Sequence, residues 1–294
     1  MKILSCAVCL ILMLLGSSVG FASSEDKYQL ILNSANTPDI LPRNFRITKD
    51  PWSQESLTQP PSRLGLDTLN ASGSGQFSEN GLQALLKRIS TPMPIIIVDL
   101  RQESHGFANG IAVSWYAPRD TANVGKTLPE IEEDESRRLK NLLNKEVTID
   151  RIISKPQDVI GSTIPISIKV HEVCTEKVLT QTYKTGYFRI PVTDHLPPTQ
   201  ENVDRFLTFV RNLPPNTWLH FHCEAGDGRT TTFMAMYDII HNAKKVPFEE
   251  IIQRQYLLGG INLLKMPETG SWKYPYAVER AKFLRAFYDK IQRT

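Results

Sequence analysis

A large excess of charge of one sign is lacking: the formal net charge over 294 residues is only +3. That excludes a strongly basic nucleic-acid binder as the default reading, although a local basic pocket stays open. An apolar run long enough to cross a bilayer is lacking too, since Ile3 to Leu15 falls short of that length. With Lys2 before it and Gly20-Phe21-Ala22 after it, this run reads as a signal peptide cleaved after Ala22. The mature chain is therefore expected to be exported, periplasmic or secreted, with no stable membrane insertion after cleavage. Cysteine is scarce. Of four, Cys6 and Cys9 leave with the leader, and Cys174 and Cys223 remain. In an oxidising compartment such a pair can form a disulfide, or be one structural and one reactive thiol; the count does not decide. Internal repeats and low-complexity tracts are absent.

What is present suits a soluble globular protein, with 41% hydrophobic and 22% charged residues. The length allows one large domain or two small ones. Residues 23 to about 75, rich in Pro, Ser, Asn and Thr, read as an irregular strap over the core. Ser78 is a candidate N-cap for a helix with Leu82, Leu85, Leu86 and Ile89 on one face. Ile95-Ile96-Ile97-Val98 then reads as a strand buried on both faces. Residues 111–181 differ in texture. Val147, Ile149 and Ile152, then Ile164, Ile166, Ile168 and Val170, suggest short strands. Between them and the early part, Glu130 to Leu143 reads as a charged helix whose run Glu132-Glu133-Asp134-Glu135 is a solvated face. This region is predicted to be a small β-rich insert.

The main domain resumes with a strand at Tyr187–Ile190 and a helix capped by Thr199. A strand at Trp218–His222 and a helix at Thr230–His241 follow. Helix Phe248–Leu258 stops at Gly259-Gly260, and a last helix starts near Pro275. Strands alternating with helices imply an α/β core with a mostly parallel sheet. The expected organisation is a leader over 1–22 and one domain over 23–294 that carries the insert.

The chemistry concentrates after the strand ending at His222. Cys223 and Arg229 are separated by five residues that include Gly226 and Gly228, and a helix follows at once. Strand, loop and helix N-terminus in that order aim successive backbone N–H groups into one anion site. The glycines let the loop turn and approach a ligand closely. Arg229 can bind two phosphate oxygens through its planar fork. The same positive fields favour a thiolate at Cys223, and the Thr230 hydroxyl can donate to the sulfur. A thiolate facing a cradled phosphate is an activated nucleophile. A buried structural Cys beside a surface Arg is the competing reading of Cys-x5-Arg alone; the strand, glycines and helix favour catalysis. An alkoxide leaving group also needs a proton. Asp194, in the loop Val192-Thr193-Asp194-His195-Leu196-Pro197-Pro198, is the best placed donor, although the residues alone favour a plain turn Asp before prolines.

The loop His222-Cys223-Glu224-Ala225-Gly226-Asp227-Gly228-Arg229-Thr230 is similar to that of protein tyrosine phosphatases, and its Glu-Ala-Gly interior resembles that of the cysteine phytases, the tyrosine-phosphatase-like myo-inositol phosphatases of bacteria. The resemblance runs from Leu41-Pro42-Arg43-Asn44-Phe45-Arg46 almost to the C-terminus. It includes Asp99-Leu100-Arg101-Gln102-Glu103-Ser104-His105-Gly106, Val113-Ser114-Trp115-Tyr116, Ala122-Asn123-Val124-Gly125-Lys126 and Thr193-Asp194-His195. It implies a tyrosine-phosphatase-like α/β core with a small partial β-barrel insert. It implies Cys223 as nucleophile, Arg229 and Thr230 in the loop, and Asp194 as acid. Loop contacts to substrate would come from Glu224, Ala225, Gly226, Asp227 and Gly228. Rim contacts would fall on Asp120, His195, Lys273 and Arg280. No metal or other cofactor is implied, and the partner is a small polyanion, an inositol phosphate. The sequence departs from the family at Asp227, where the loop is often apolar, and at Thr121, where a Trp is common; a basic contact expected before Leu41 has no counterpart in Ile31-Leu32-Asn33.

For the residues around the loop, blander roles compete. Arg101, Glu103 and His105 read equally as supports of the site or as a structural network. His222 reads as ordering the loop, Lys126 as a solvated lysine, and Cys174 as a small core residue. The alternatives to an inositol-phosphate phosphatase are a phosphoprotein phosphatase of the same chemistry and a non-catalytic phosphate-binding module. Cys223, Arg229 and Asp194 together argue against the last.

Overall fold

A computed structural model of the protein describes residues 28–53 and 59–294. The expected leader, with Ala22, Cys6 and Cys9, lies outside the described residues. The strands in chain order are β1 (Gln29–Ser34), β2 (Arg46–Ile47), β3 (Ala71–Ser74), β4 (Ile95–Arg101), β5 (His105–Ala108) and β6 (Ile111–Tyr116). Then come β7 (Glu146–Ser154), β8 (Ser162–Lys169), β9 (Val173–Cys174), β10 (Gly186–Val192) and β11 (Trp218–His222). The helices are α1 (Glu79–Ile89), α2 (Leu128–Leu142), α3 (Glu176–Thr182), α4 (Gln200–Arg211), α5 (Gly228–Asn242), α6 (Phe248–Leu257) and α7 (Tyr274–Arg293). No helix among the described residues is long and apolar enough to cross a membrane.

One sheet has the order β10-β4-β11-β3-β2. Three of its four pairings are parallel, and only β2 runs antiparallel to β3. This is the expected mostly parallel α/β core. Its central strand β11 is buried throughout and feeds directly into the loop of Cys223. Helix α5 is buried along almost its whole length, polar residues such as Thr230 and Asp238 included, because α6 and α7 pack against it beside the sheet. Apolar burial therefore fixes both the strand that delivers the loop and the helix that receives it. The capping residues act as the sequence suggests. Ser78 accepts from Gly81 N–H, and Thr199 forms a reciprocal cap with Asn202. Gly259, with φ of +104°, follows α6.

The second sheet has the order β8-β7-β1-β6-β5-β9 and is open rather than a closed barrel. It departs from expectation in two ways. First, it extends beyond the 111–181 insert, taking β5 and β1 from outside that span. Gln29–Ser34, predicted to belong to an irregular strap, lies between β6 and β7, with Ile31 opposite both Ser114 and Asp150. Its partners are far away in sequence, so no local turn or alternation announces it. β3 was hidden in the same strap. Ala71-Ser72-Gly73-Ser74 offers little side-chain signal, and a Cβ on Gly73 would meet Met234 Sδ at 2.5 Å. Close approach of α5 selects small residues there. Second, half of the acidic run of α2 is not solvated. Glu132 and Glu133 are exposed, but Asp134 and Glu135 share the buried face of Ile131, Arg138, Leu139 and Leu142. Ser104 Oγ and Arg138 Nε donate to Asp134 Oδ2 at 2.8 and 2.7 Å. Arg189 and the His105 N–H donate to Glu135 Oε2 at 2.9 and 3.0 Å. A carboxylate can face inward when its lone pairs are taken this fully.

Candidate active site

Cys223 is 2% exposed at the junction of β11 and α5. Its Sγ accepts from Gly226 N–H at 3.3 Å and from Thr230 Oγ1 at 3.1 Å. Gly226 has φ of +82°, and a Cβ there would lie 2.3 Å from Gly75 N, so the turn requires glycine. The loop carbonyls are tied outward by Arg43, Asn44 and Arg46. Arg43 donates to Glu224 O, Asn44 to Ala225 O and Arg46 to Gly226 O, each at 2.9 Å. Turning three successive carbonyls out leaves the loop amides to face inward, which is the geometry of an anion nest. Arg46 is buried, and burial lowers it to about 10 against the upward pull of Cys223 and Asp227. It places a second guanidinium behind the sulfur. The segment Leu41–Arg46 stands out in the sequence as a matched motif, but nothing local shows that it grips a loop some 180 residues away.

Arg229 is held by Glu103. Nη1 donates to Glu103 Oε2 at 2.8 Å and Nη2 to Oε1 at 3.1 Å. Glu103 also accepts from Arg101 Nε at 2.7 Å. Burial pushes the Glu103 carboxyl up, but Arg229 and then Arg101 hold it far below the usual carboxylate range. Arg101 and Glu103 are thus direct supports of the loop Arg. One forked edge of Arg229 is fully engaged, so the edge left for an oxyanion carries Nε. That nitrogen lies 3.1 Å from Asp194 Oδ1, without hydrogen-bond alignment.

Asp194 follows β10 and lies between two basic groups, with His195 Nε2 3.1 Å from Oδ2. His195 adopts φ of +65° and sets its ring edge against Trp272 at 4.9 Å. Burial lowers its basicity, opposed by Asp194. Behind the loop, His222 Nε2 sits 2.6 Å from Glu176 Oε1, both fully buried. Burial works against the Glu176 anion, yet His222 draws it down to about 2. His105 belongs to this deeper layer with Asp99 and Glu176, whose ligand atoms converge within 4.8 Å. Asp99 Oδ2 already accepts from Tyr187 OH at 2.7 Å and pairs with Arg189 Nε at 3.1 Å. The cluster is a compensated buried network.

A cleft of about 680 Å³ opens over Cys223, and Asp194, His195, Asp227, Arg229, Lys273 and Arg280 line it. Lys155 and Lys265 line it too. Sequence reasoning missed both, because a lone surface lysine carries no pattern. Asp120 is 1% exposed and does not line the cleft; its Oδ2 sits 4.0 Å behind Lys155 Nζ. Burial, then Glu103, pushes its carboxyl up to about 8, and neither oxygen has a hydrogen-bond partner. Lys126 is tied to Asn123 Oδ1 at 2.8 Å. Cys174 and Cys223 are both free thiols. Burial, then Glu172, raises Cys174 to about 12, which makes it inert.

The model of the protein-tyrosine-phosphatase-like phytase family, described by inositol hexakisphosphate, matches residues 98–241. A phytase of that kind from Bdellovibrio bacteriovorus is 38% identical, with a TM-score of 0.69 over 90% of this chain and 89% of that one. The chain belongs to this family. The family's myo-inositol phosphatase from Mitsuokella multacida, solved in complex with myo-inositol-(1,3,4,5)-tetrakisphosphate, is 39% identical with a TM-score of 0.85. That match covers 91% of this chain and 45% of the Mitsuokella chain. Effector protein hopD2 of Pseudomonas syringae pv. tomato is 28% identical over 270 residues, 90% of this chain. The chain spans 57% of hopD2, so it is about half the length of these two relatives.

Proposed function

We propose that the protein is a cysteine-dependent phosphomonoesterase that removes phosphates from myo-inositol polyphosphates through a cysteinyl-phosphate. The observation that carries this reading is the convergence of Cys223 Sγ, the engaged Arg229 fork and Asp194 on one cleft floor. The loop amides and the Nε edge of Arg229 hold the reacting phosphate over the sulfur. The Cys223 thiolate attacks phosphorus, the S–P bond forms and the P–O bond to the sugar alcohol breaks. Asp194 gives its proton to the departing oxygen. Asp194, now ionised, takes a proton from water, whose oxygen attacks phosphorus. The S–P bond breaks, and inorganic phosphate and the thiolate are regenerated. Thr230 steadies the sulfur through its hydroxyl.

The substrate class follows from the rim. Lys155, Lys265, Lys273 and Arg280 all line the cleft over the floor. Lys273 and Arg280 lie at the start of α7 and about two turns along it, so they can meet separate phosphates. Asp120 supports this rim through Lys155 rather than from the cleft wall. The tetrakisphosphate bound by the Mitsuokella relative supports the same class. Phosphate release from inositol hexakisphosphate and from phosphotyrosine peptides at matched ionic strength tests the reading. The inositol phosphate is expected to give the higher kcat/KM; the reverse order makes the protein a phosphoprotein phosphatase. Binding of either without turnover makes it a phosphate-binding module. We further infer export with cleavage after Ala22, and N-terminal sequencing of the mature protein from its native host tests it.

A further inference from the structure

The loop of Cys223 carries two carboxylates of its own, and the fold treats them differently. Arg43 neutralises Glu224, gripping both its carboxylate and its carbonyl. Asp227 makes no ion pair among the described residues. Its Oδ1 accepts from the neutral Asn44 amide at 3.0 Å. Burial pushes its carboxyl up, and Glu224 and Asp194 push the same way, against Arg43 and Arg46. Asp227 is half-buried and belongs to the lining of the cleft. Arg280 meets the loop one residue further on, with Nη1 3.5 Å from where a Cβ on Gly228 would stand. The wall beside the reacting phosphate therefore has a cationic place and an anionic place side by side.

An inositol ring with one phosphate over Cys223 presents the substituents on its two neighbouring carbons to that wall. A phosphate suits Arg280. Against Asp227 a phosphate meets a like charge, whereas a hydroxyl donates a charge-assisted hydrogen bond. We propose that Asp227 is a specificity-determining residue that accepts a hydrogen bond from a free ring hydroxyl next to the reacting phosphate, making partly phosphorylated inositols better substrates than the hexakisphosphate. This rests on the inositol-phosphate reading above and names the preferred subset within it.

The test compares kcat/KM for inositol hexakisphosphate and for an inositol tetrakisphosphate with free ring hydroxyls, in the intact chain and in Asp227→Asn and Asp227→Ala. The unsubstituted protein favours the tetrakisphosphate. Each variant shifts the ratio towards the hexakisphosphate by about tenfold, the scale of one like-charge contact at partial exposure. Asparagine still accepts from a hydroxyl, so its shift is chiefly a gain on the hexakisphosphate; alanine also loses on the tetrakisphosphate. Each ratio is read within one protein sample, so a reduced folded fraction cancels. A native preference for the hexakisphosphate, or an unchanged ratio in both variants while both substrates turn over, overturns the proposal alone. Hydrolysis of p-nitrophenyl phosphate with no release from either inositol phosphate overturns the substrate reading and this proposal together.

Discussion

The floor of the cleft and its rim are built on different principles. On the floor, Cys223, Arg229, Glu103, Arg101, His222 and Glu176 are all at most 3% exposed; Arg229 and Arg101 share Glu103, and His222 meets Glu176, at hydrogen-bond distance. On the rim, Lys273 is 44% exposed in its side chain and pairs with Asp158, while Lys155 is 25% exposed. Burial makes floor interactions strong and intolerant of a lost partner. Exposure leaves rim charges screened and individually weak. On the proposed function, chemistry rests on this buried lattice together with Asp194, and substrate choice is left to side chains that can be exchanged cheaply. Substitutions should grade in effect from floor to rim.

The largest effect is expected for Cys223→Ser. Serine lacks an accessible anion near neutral pH, while the loop amides and Arg229 remain, so turnover should vanish and binding persist. Single-turnover phosphate release and calorimetric binding of inositol hexakisphosphate check this; substantial release would refute the covalent route. Asp194→Asn should slow hydrolysis roughly a hundred- to ten-thousand-fold for poor leaving groups and less for p-nitrophenyl phosphate. Equal losses on both would remove Asp194 from the acid role.

Glu103→Gln probes the support rather than the chemistry. It leaves Arg229 and Arg101 buried with their shared counter-charge gone, and unfolding free energy should fall by about 3 kcal/mol. A urea titration measures it, and a change below about 1 kcal/mol would show that the pair is solvent-compensated. The deeper layer adds a pH signature. Glu176 is held at about 2 against an ordinary 4.5, so its stabilisation is present above about 4.5 and lost as pH falls towards 2. For His105, burial lowers the pKa, but Asp99 outweighs it and raises the group to about 9 from 6.5. That contribution is whole below 6.5 and lost as pH rises through about 9. Urea midpoints across this range should fall on both sides, and Glu176→Gln should reduce the fall on the acid side.

The same division governs how much was legible in the sequence. The floor's chemical residues lie in one contiguous stretch whose spacing, glycines and following helix state their own geometry. Central elements such as β4, β11 and α1 were visible because their apolar pattern is local. What was hidden depends on contacts between distant residues. β1 is a strand only because β6 and β7 flank it. Arg43, Asn44 and Arg46 acquire a purpose only when the fold lays them under the loop. Asp134 and Glu135 look like surface acids until Ser104 and Arg189 reach them. Lys155 and Lys265 have no signature at all, since a rim lysine differs from a solvated one only by what stands opposite.

The smallest effect should come from Lys273→Ala, and its size discriminates between the two regions. Lys273 Nζ lies 2.5 Å from Asp158 Oδ2 and 5.3 Å from the Trp272 ring centroid. A substrate phosphate must compete with Asp158 for it, so only the difference between the two partners appears as affinity. Half-exposed, it is also screened. The variant should raise KM for inositol hexakisphosphate by about threefold to tenfold at low salt, with little change in kcat, because the contact is remote from the reacting phosphorus. The increase should shrink as salt rises. Lys155→Ala should cost more, because that lysine is more buried and sits over Asp120, Glu224 and Tyr116; burial opposes its charge, yet those groups raise its pKa. A loss of kcat in Lys273→Ala as large as that of Asp194→Asn would mean that the rim shares in the chemistry, and the division between floor and rim would fall.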